Sequence, residues 1–156
     1  GERILDVGCG TGTFAIMMKM AEPLVEVVAM DPDGEVLQIA GRKARQAGVH
    51  VDFVQGYARE ADRLGQAFDK AVASLVFHQV PIEEKEQGIA AMFRAVSPGG
   101  QVHIADYARQ RSVMMRLLFR IVQALDGYEN TQANADGALE RILTEHADLP
   151  IAIGLK

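Results

Sequence analysis

The 156-residue chain predicts an α/β fold, a doubly wound and mostly parallel sheet with helices on both faces. Three observations predict it. Short, β-branched, near-continuous apolar runs alternate with segments of helical period, a glycine-rich turn directly follows the first run, and the second run ends on an aspartate. Strands buried on both faces read as continuous runs rather than as alternating ones. Strands that alternate with helices imply right-handed crossovers and ligand sites at the carboxyl ends of the strands.

The strand candidates, in order, are ILDV (4–7), VEVVAM (25–30), VDFV (51–54), KAVAS (70–74) and QVHIAD (101–106). Helical periodicity falls between them at about 13–20, 34–47, 59–66 and 83–96, the last stopped by Pro98-Gly99-Gly100. Beyond Asp106 a strongly apolar helix is expected at about 112–125, then a polar stretch at 128–137, then a helix from about Ala138 to His146. The tail PIAIGLK is a candidate for one more strand. The chain reads as one domain over residues 1–156, with 107–137 a helical lid inserted over the sheet. It opens at Gly1 directly on a core strand, which reads as a fragment of something longer.

Composition narrows the function classes. A net charge of -5 disfavours nucleic acid as the main partner, because phosphate binding calls for clustered Lys and Arg. A lone cysteine, Cys9, builds neither a disulfide framework nor a multi-cysteine zinc site, and the four histidines show no ligand spacing, so no metal is expected. No stretch approaches the roughly 20 apolar residues of a membrane span, nor is there a signal-peptide pattern, and the expected location is the cytoplasm.

The chemistry concentrates at Gly8-Cys9-Gly10-Thr11-Gly12, with Asp6 two residues before the first glycine. Glycines at a strand-to-helix turn let the backbone approach a ligand and adopt torsions closed to other residues. A dinucleotide fingerprint would place its third glycine where Thr13 stands, and no Lys-Ser or Lys-Thr pair follows to make a P-loop. A carboxylate beside the turn repels a pyrophosphate and attracts a cationic ligand end. Asp31 stands 19 residues after Gly12, at the end of the second strand, where a carboxylate can accept both hydroxyls of a ribose. The competing readings are a strand-end or capping role for Asp6, and capping of the next helix by Asp31 or Asp33.

The segment ILDVGCGTGTFA (4–15) resembles the first motif of class I S-adenosylmethionine-dependent methyltransferases, and the resemblance runs to about His146. It implies a Rossmann-like sheet whose C-terminal edge is incomplete here, since only residues 149–155 remain for its last strand pair. The join HADLPIAIGLK also lacks the Gly-Phe common in the family, which reads as residues absent near 146–151 or a shortened edge. By the resemblance, Gly8, Cys9, Gly10, Thr11 and Gly12 face the methionine part of S-adenosylmethionine, and Asp6 helps to hold its ammonium group. Pro32 belongs to the adenine-side wall. The family's Gly-Asp-Ala triplet reads Gly56-Tyr57-Ala58 here, so the adenine contact falls to Tyr57 stacking or the backbone near Ala58.

A second block, FDKAVASLVFHQV (68–80) followed by AMFRAVSPGGQVHIADY (91–107), resembles small-molecule methyltransferases grouped with ubiquinone and menaquinone biosynthesis. It places Ser74 by the cofactor's ammonium group and Leu75, Phe77 and His78 by the transferred methyl. The implied reaction is in-line methyl transfer to a small-molecule acceptor, leaving S-adenosylhomocysteine. His78, Asp106 and Tyr107, at the ends of the fourth and fifth strands, are the catalytic candidates if the acceptor must lose a proton. His103 reads as a strand-face or core histidine. For the helix at 112–127, the readings are a substrate-covering lid, a homodimer face, and a surface for peripheral membrane contact. Two rival functions stay open: a catalytically silent cofactor-binding module, and a nicotinamide-dependent oxidoreductase resting on Asp31 and the glycines alone.

Overall fold

The computed structural model describes residues 1–65, 67–106 and 136–146. Five strands, β1 (Arg3–Val7), β2 (Glu26–Asp31), β3 (Asp52–Gln55), β4 (Phe68–Ser74) and β5 (Val96–Ala105), form one sheet in the order β3-β2-β1-β4-β5. Every pairing among them is parallel. The helices are α1 (Thr13–Ala21), α2 (Gly34–Gln46), α3 (Ile82–Ala95) and α4 (Ala138–His146).

Successive side chains of a strand point to opposite faces, so a doubly covered sheet needs apolar residues in both registers. β1 supplies them. Ile4 enters a cluster with Ala15 of α1, Val27, Ala29 and Val72, whereas Leu5 and Val7 enter another with Phe68, Ala71, Ile89 of α3 and Ile142 of α4. Leu5 is fully enclosed, which contributes on the order of 2 kcal/mol. The chain runs outward from β1 to β2 and β3, then returns to β4 on the other side of β1. This reversal opens a crevice beyond the carboxyl ends of β1 and β4.

Two expectations are corrected. The helix expected at 59–66 is a 3-10 stretch, Ala58–Leu64, ended by Gly65 at φ 62°. It lies against α3, where Arg59 pairs with Glu84 and Asp62 with Arg94. β5 also begins earlier than expected, at Val96 beside Phe68, and the register then jumps to Gln101 beside Lys70. Residues 97–100 bulge between those pairs; a side chain at Gly100 would stand 2.9 Å from the Ser97 carbonyl oxygen and 3.0 Å from that of Asp69. Pro98-Gly99-Gly100 does follow the end of α3, at Ala95. Among the described residues no helix is long and apolar enough to cross a membrane. The helix expected at 112–125, nearly all of the 107–137 lid and the strand expected at 149–155 lie outside the described residues.

Candidate functional site

The glycine turn joins β1 to α1, with Gly8, Gly10 and Gly12 at φ 72°, 52° and 73°. Only glycine adopts such torsions without strain. The amides of Gly8 and Cys9 both donate to the Met30 carbonyl, at 2.8 and 3.0 Å, which ties the turn to the end of β2. Two of the glycines also answer to packing. A methyl on Gly12 would lie 2.8 Å from Cβ of Ala40 on α2, and one on Gly8 would lie 2.5 Å from Cγ2 of Val76 in the loop after β4. Gly10 differs: nothing stands within 4 Å of the place its side chain would take. The turn is therefore packed at both ends and open in the middle.

Two carboxylates border that opening. Asp31 accepts from the Gly10 amide at 2.8 Å through Oδ2 and from the Asp33 amide at 3.0 Å through Oδ1. Capping of α2 belongs to Asp33, whose carboxylate accepts from the Glu35 amide at 2.8 Å. Asp6 is 2% exposed. It accepts a backbone hydrogen bond at Ala15, yet its Oδ2 is a buried side-chain oxygen with no hydrogen-bond partner among the described residues. Burial first, and the Asp31 charge second, push the Asp6 carboxyl up to about 7. The same causes push the Cys9 thiol up to about 12, burial ahead of the charges of Asp6 and Asp31, so Cys9 is no thiolate nucleophile. The opening thus has an electronegative wall that favours a cation.

Pro32, next along, is exposed, and its carbonyl accepts from Nε2 of Gln55 at 3.0 Å. Tyr57 is half exposed, with the Arg59 guanidinium 4.3 Å from its ring centre, a cation–π contact. Its amide donates to Glu60 at 3.0 Å. Ala58 starts the 3-10 stretch and packs toward Gly88 of α3. Thr11 is exposed, at the outer rim of the turn.

Across the crevice, Ser74 and Leu75 are exposed at the end of β4. Leu75 holds φ 57°, a left-handed torsion uncommon outside glycine, and its amide donates to the Ala105 carbonyl at 2.8 Å. His78 and Asp106 lie side by side. Nδ1 of His78 is 2.8 Å from Oδ1 of Asp106, while Oδ2 accepts the amides of Phe77 at 2.6 Å and His78 at 3.2 Å. Nε2 of His78 is 3.2 Å from the side-chain nitrogen Nε2 of Gln79, which also lies 3.5 Å from the Leu75 carbonyl oxygen. The Asp106 side chain is fully enclosed and that of His78 nearly so. Tyr107 lies outside the described residues. His103 stands on an exposed strand face, 3.0 Å from Gln101 Oε1.

The sequence reading missed two lysines. Lys43 of α2 donates to the Thr11 carbonyl at 3.0 Å, Thr11 Oγ1 at 3.2 Å and Thr13 Oγ1 at 2.6 Å, strapping the glycine turn. Lys85 of α3 is completely buried and donates to the Val80 carbonyl at 2.7 Å. Both sit in helices of mixed charge, where a lysine ordinarily marks the solvated side.

The methyltransferase domain family matches residues 4–100. The chain is 31% identical over 119 residues to a demethylmenaquinone methyltransferase of Deinococcus radiodurans, covering 76% of the chain and 48% of that relative. It is 34% identical over 110 residues to a ubiquinone biosynthesis O-methyltransferase of Klebsiella pneumoniae, covering 70% of the chain and 44% of that relative. The chain therefore spans about half the length of these curated relatives. In fold it matches the crystal structure of a putative methyltransferase from Bacillus halodurans, with a TM-score of 0.73 and 22% identity over 94% of this chain and 62% of that one.

Proposed function

The chain belongs to the methyltransferase domain family, and from that premise we propose that it transfers a methyl group from S-adenosylmethionine to a small-molecule acceptor. The observation that carries the choice of donor is the buried Asp6 oxygen, without a partner among the described residues, beside a left-handed glycine turn, with Asp31 at the next strand end. An acidic wall suits a ligand with an ammonium group, a sulfonium and a ribose, and opposes a pyrophosphate. When bound, the donor supplies an electrophilic methyl on sulfur, and S-adenosylhomocysteine is what remains.

The chain's own part is to bind, align and exclude water. Gly8, Cys9, Gly10, Thr11 and Gly12 provide the close backbone, Asp6 meets the amino group, and Asp31 accepts the ribose hydroxyls through the lone pairs left beside Gly10 and Asp33. Pro32, Tyr57 and Ala58 wall the adenine, and Ser74 and Leu75 border the methionine side. Alignment of this kind can lower a barrier by roughly 7 to 11 kcal/mol. For an acceptor that must lose a proton, the assigned group is His78. With Nδ1–H donating to Asp106 Oδ1, Nε2 is left as the proton acceptor. Asp106 orients the ring, and Tyr107, the next residue, is assigned to the same strand end. The relatives' names favour a quinone-type small molecule as acceptor.

The test is calorimetric titration with S-adenosylhomocysteine. Micromolar binding is expected, weakened about 100-fold by Asp31→Ala, since charge-assisted hydrogen bonds are each worth roughly 1.5–3 kcal/mol. Failure of the folded chain to bind, or equal binding of reduced nicotinamide dinucleotide, would overturn the reading.

A further inference from the structure

The glycine turn is built from residues that resist being held still. Gly8, Gly10 and Gly12 have no side chains to pack, and glycine loses more conformational freedom on ordering than any other residue. The structure holds the turn by its backbone instead. The amides of Gly8 and Cys9 donate to the Met30 carbonyl, the Gly10 amide to Asp31, and the Gly12 amide to the Cys9 carbonyl at 2.9 Å. The outer limb of the turn is met by α2. Ala40 stands 2.8 Å from the place a methyl on Gly12 would take, and three residues on, on the same side of the helix, Lys43 reaches the turn. Its ammonium donates to the Thr11 carbonyl at 3.0 Å, to Thr11 Oγ1 at 3.2 Å and to Thr13 Oγ1 at 2.6 Å, which joins the turn to the first residue of α1. An ammonium has three donors, and these three acceptors match them in number. None of the three is a carboxylate, and the N-terminus of α1 repels a cation, so hydrogen bonds rather than an opposite charge hold the lysine there.

We propose that Lys43 is a positioning residue for the methyl donor: it holds the outer limb of the glycine turn in its binding shape before the ligand arrives, and does not itself touch the ligand. The inference rests on the reading of the turn as the donor site given above. A ligand binds the fraction of chains whose turn is already ordered, and its apparent affinity falls with that fraction. Gly10, in the middle of the turn, has nothing within 4 Å of the place its side chain would take, so packing does not supply that order. The Asp31 tie uses a carboxylate that the ribose also claims. The Lys43 tie is independent of that carboxylate, and it is in place whether or not a ribose is bound.

The experiment compares the full wild-type chain with Lys43→Met, Thr13→Val and the two combined, each checked by a cooperative melt. Thr13→Val keeps the lysine and removes its closest acceptor. The readouts are calorimetric titration with S-adenosylhomocysteine and hydrogen exchange of the Gly10 and Gly12 amides in the ligand-free chain. Lys43→Met is expected to weaken binding about 10-fold and Thr13→Val about 5-fold. Because both cut the same tie, the double variant is expected within about 2-fold of Lys43→Met alone. The two amides are expected to exchange faster in Lys43→Met than in the wild type. Wild-type affinity and exchange in a folded Lys43→Met overturn the positioning role, since a lysine that merely steadies α2 against α1 would move the melt and neither readout. Affinity lost in Lys43→Met, with exchange unchanged and Thr13→Val at wild-type strength, means that Lys43 touches the ligand, which overturns the role as well. Effects that multiply in the double variant overturn the shared tie. A folded wild-type chain that does not bind S-adenosylhomocysteine overturns the reading of the turn as the donor site, and the inference falls with it.

Discussion

Asp106→Ala is expected to lower the melting temperature by about 10–15 °C. The Asp106 side chain is fully enclosed, so solvent does not screen the loss. Two donors lose their acceptor at once, the amides of Phe77 and His78, and Nδ1 of the histidine ring loses its partner. The Lys85 ammonium, fully buried, also loses a negative charge that partly offsets its desolvation. Breaking a buried pair by removing one partner costs about 3–5 kcal/mol, and in a chain of this size each kcal/mol is worth about 2–4 °C. Scanning calorimetry reads the shift. Asp106→Asn keeps an acceptor oxygen for the backbone amides and should lose about half as much. A drop of only 1–2 °C in the alanine variant would mean that the cluster is not coupled through charge.

Asp6→Asn is expected to move stability and binding in opposite directions. In the folded chain burial and the Asp31 charge hold the Asp6 carboxyl near 7, against an ordinary value of 3.8. Above about pH 4 the unfolded chain has released this proton while the folded chain retains it. The folded state then binds more protons, so stability falls as pH rises from about 4 to about 7 and levels off beyond. At 1.36 kcal/mol per pKa unit, the loss amounts to about 4 kcal/mol. Asparagine carries no charge and escapes it. At pH 8 the variant should melt about 8–16 °C above the wild type, and at pH 4.5 within a degree or two. Affinity for S-adenosylhomocysteine should fall about 10- to 100-fold, since the amino group loses its carboxylate. Melts at both pH values and one titration suffice. If stability and affinity fall together at pH 8, Asp6 is a structural strand-end group and not a ligand contact.

The legible part of this protein lies in local pattern. Apolar runs such as VEVVAM became strands and the amphipathic segment at 34–47 became α2, because period and burial are nearest-neighbour properties of the chain. The glycine turn was legible because positive φ selects its residue directly, at Gly8, Gly10 and Gly12. Asp6 and Asp31 were legible as strand-end acids, and their order along the chain implied that they share one crevice. The 3-10 form of Ala58–Leu64 was not, since the segment has a helical pattern of ordinary appearance and its partners on α3 are distant in sequence.

His78 and Asp106 were each named from their places at strand ends, but nothing in the sequence joined residues 28 positions apart. Their contact exists because β4 and β5 are adjacent and in register, with Ser74 beside Ala105. Lys43 and Lys85 were invisible for a related reason: a lysine on an amphipathic helix reads as solvated unless the element it meets is known. Among the described residues, the sequence by itself determined that five strands and helices α1 to α4 form, and it determined the glycine turn and the acids beside it, all written in short-range pattern. Which charges meet, and so which side chains brace the turn and the His78 ring, was decided only by the tertiary structure, because long-range crossings set those partners and burial sets the strength of their charges.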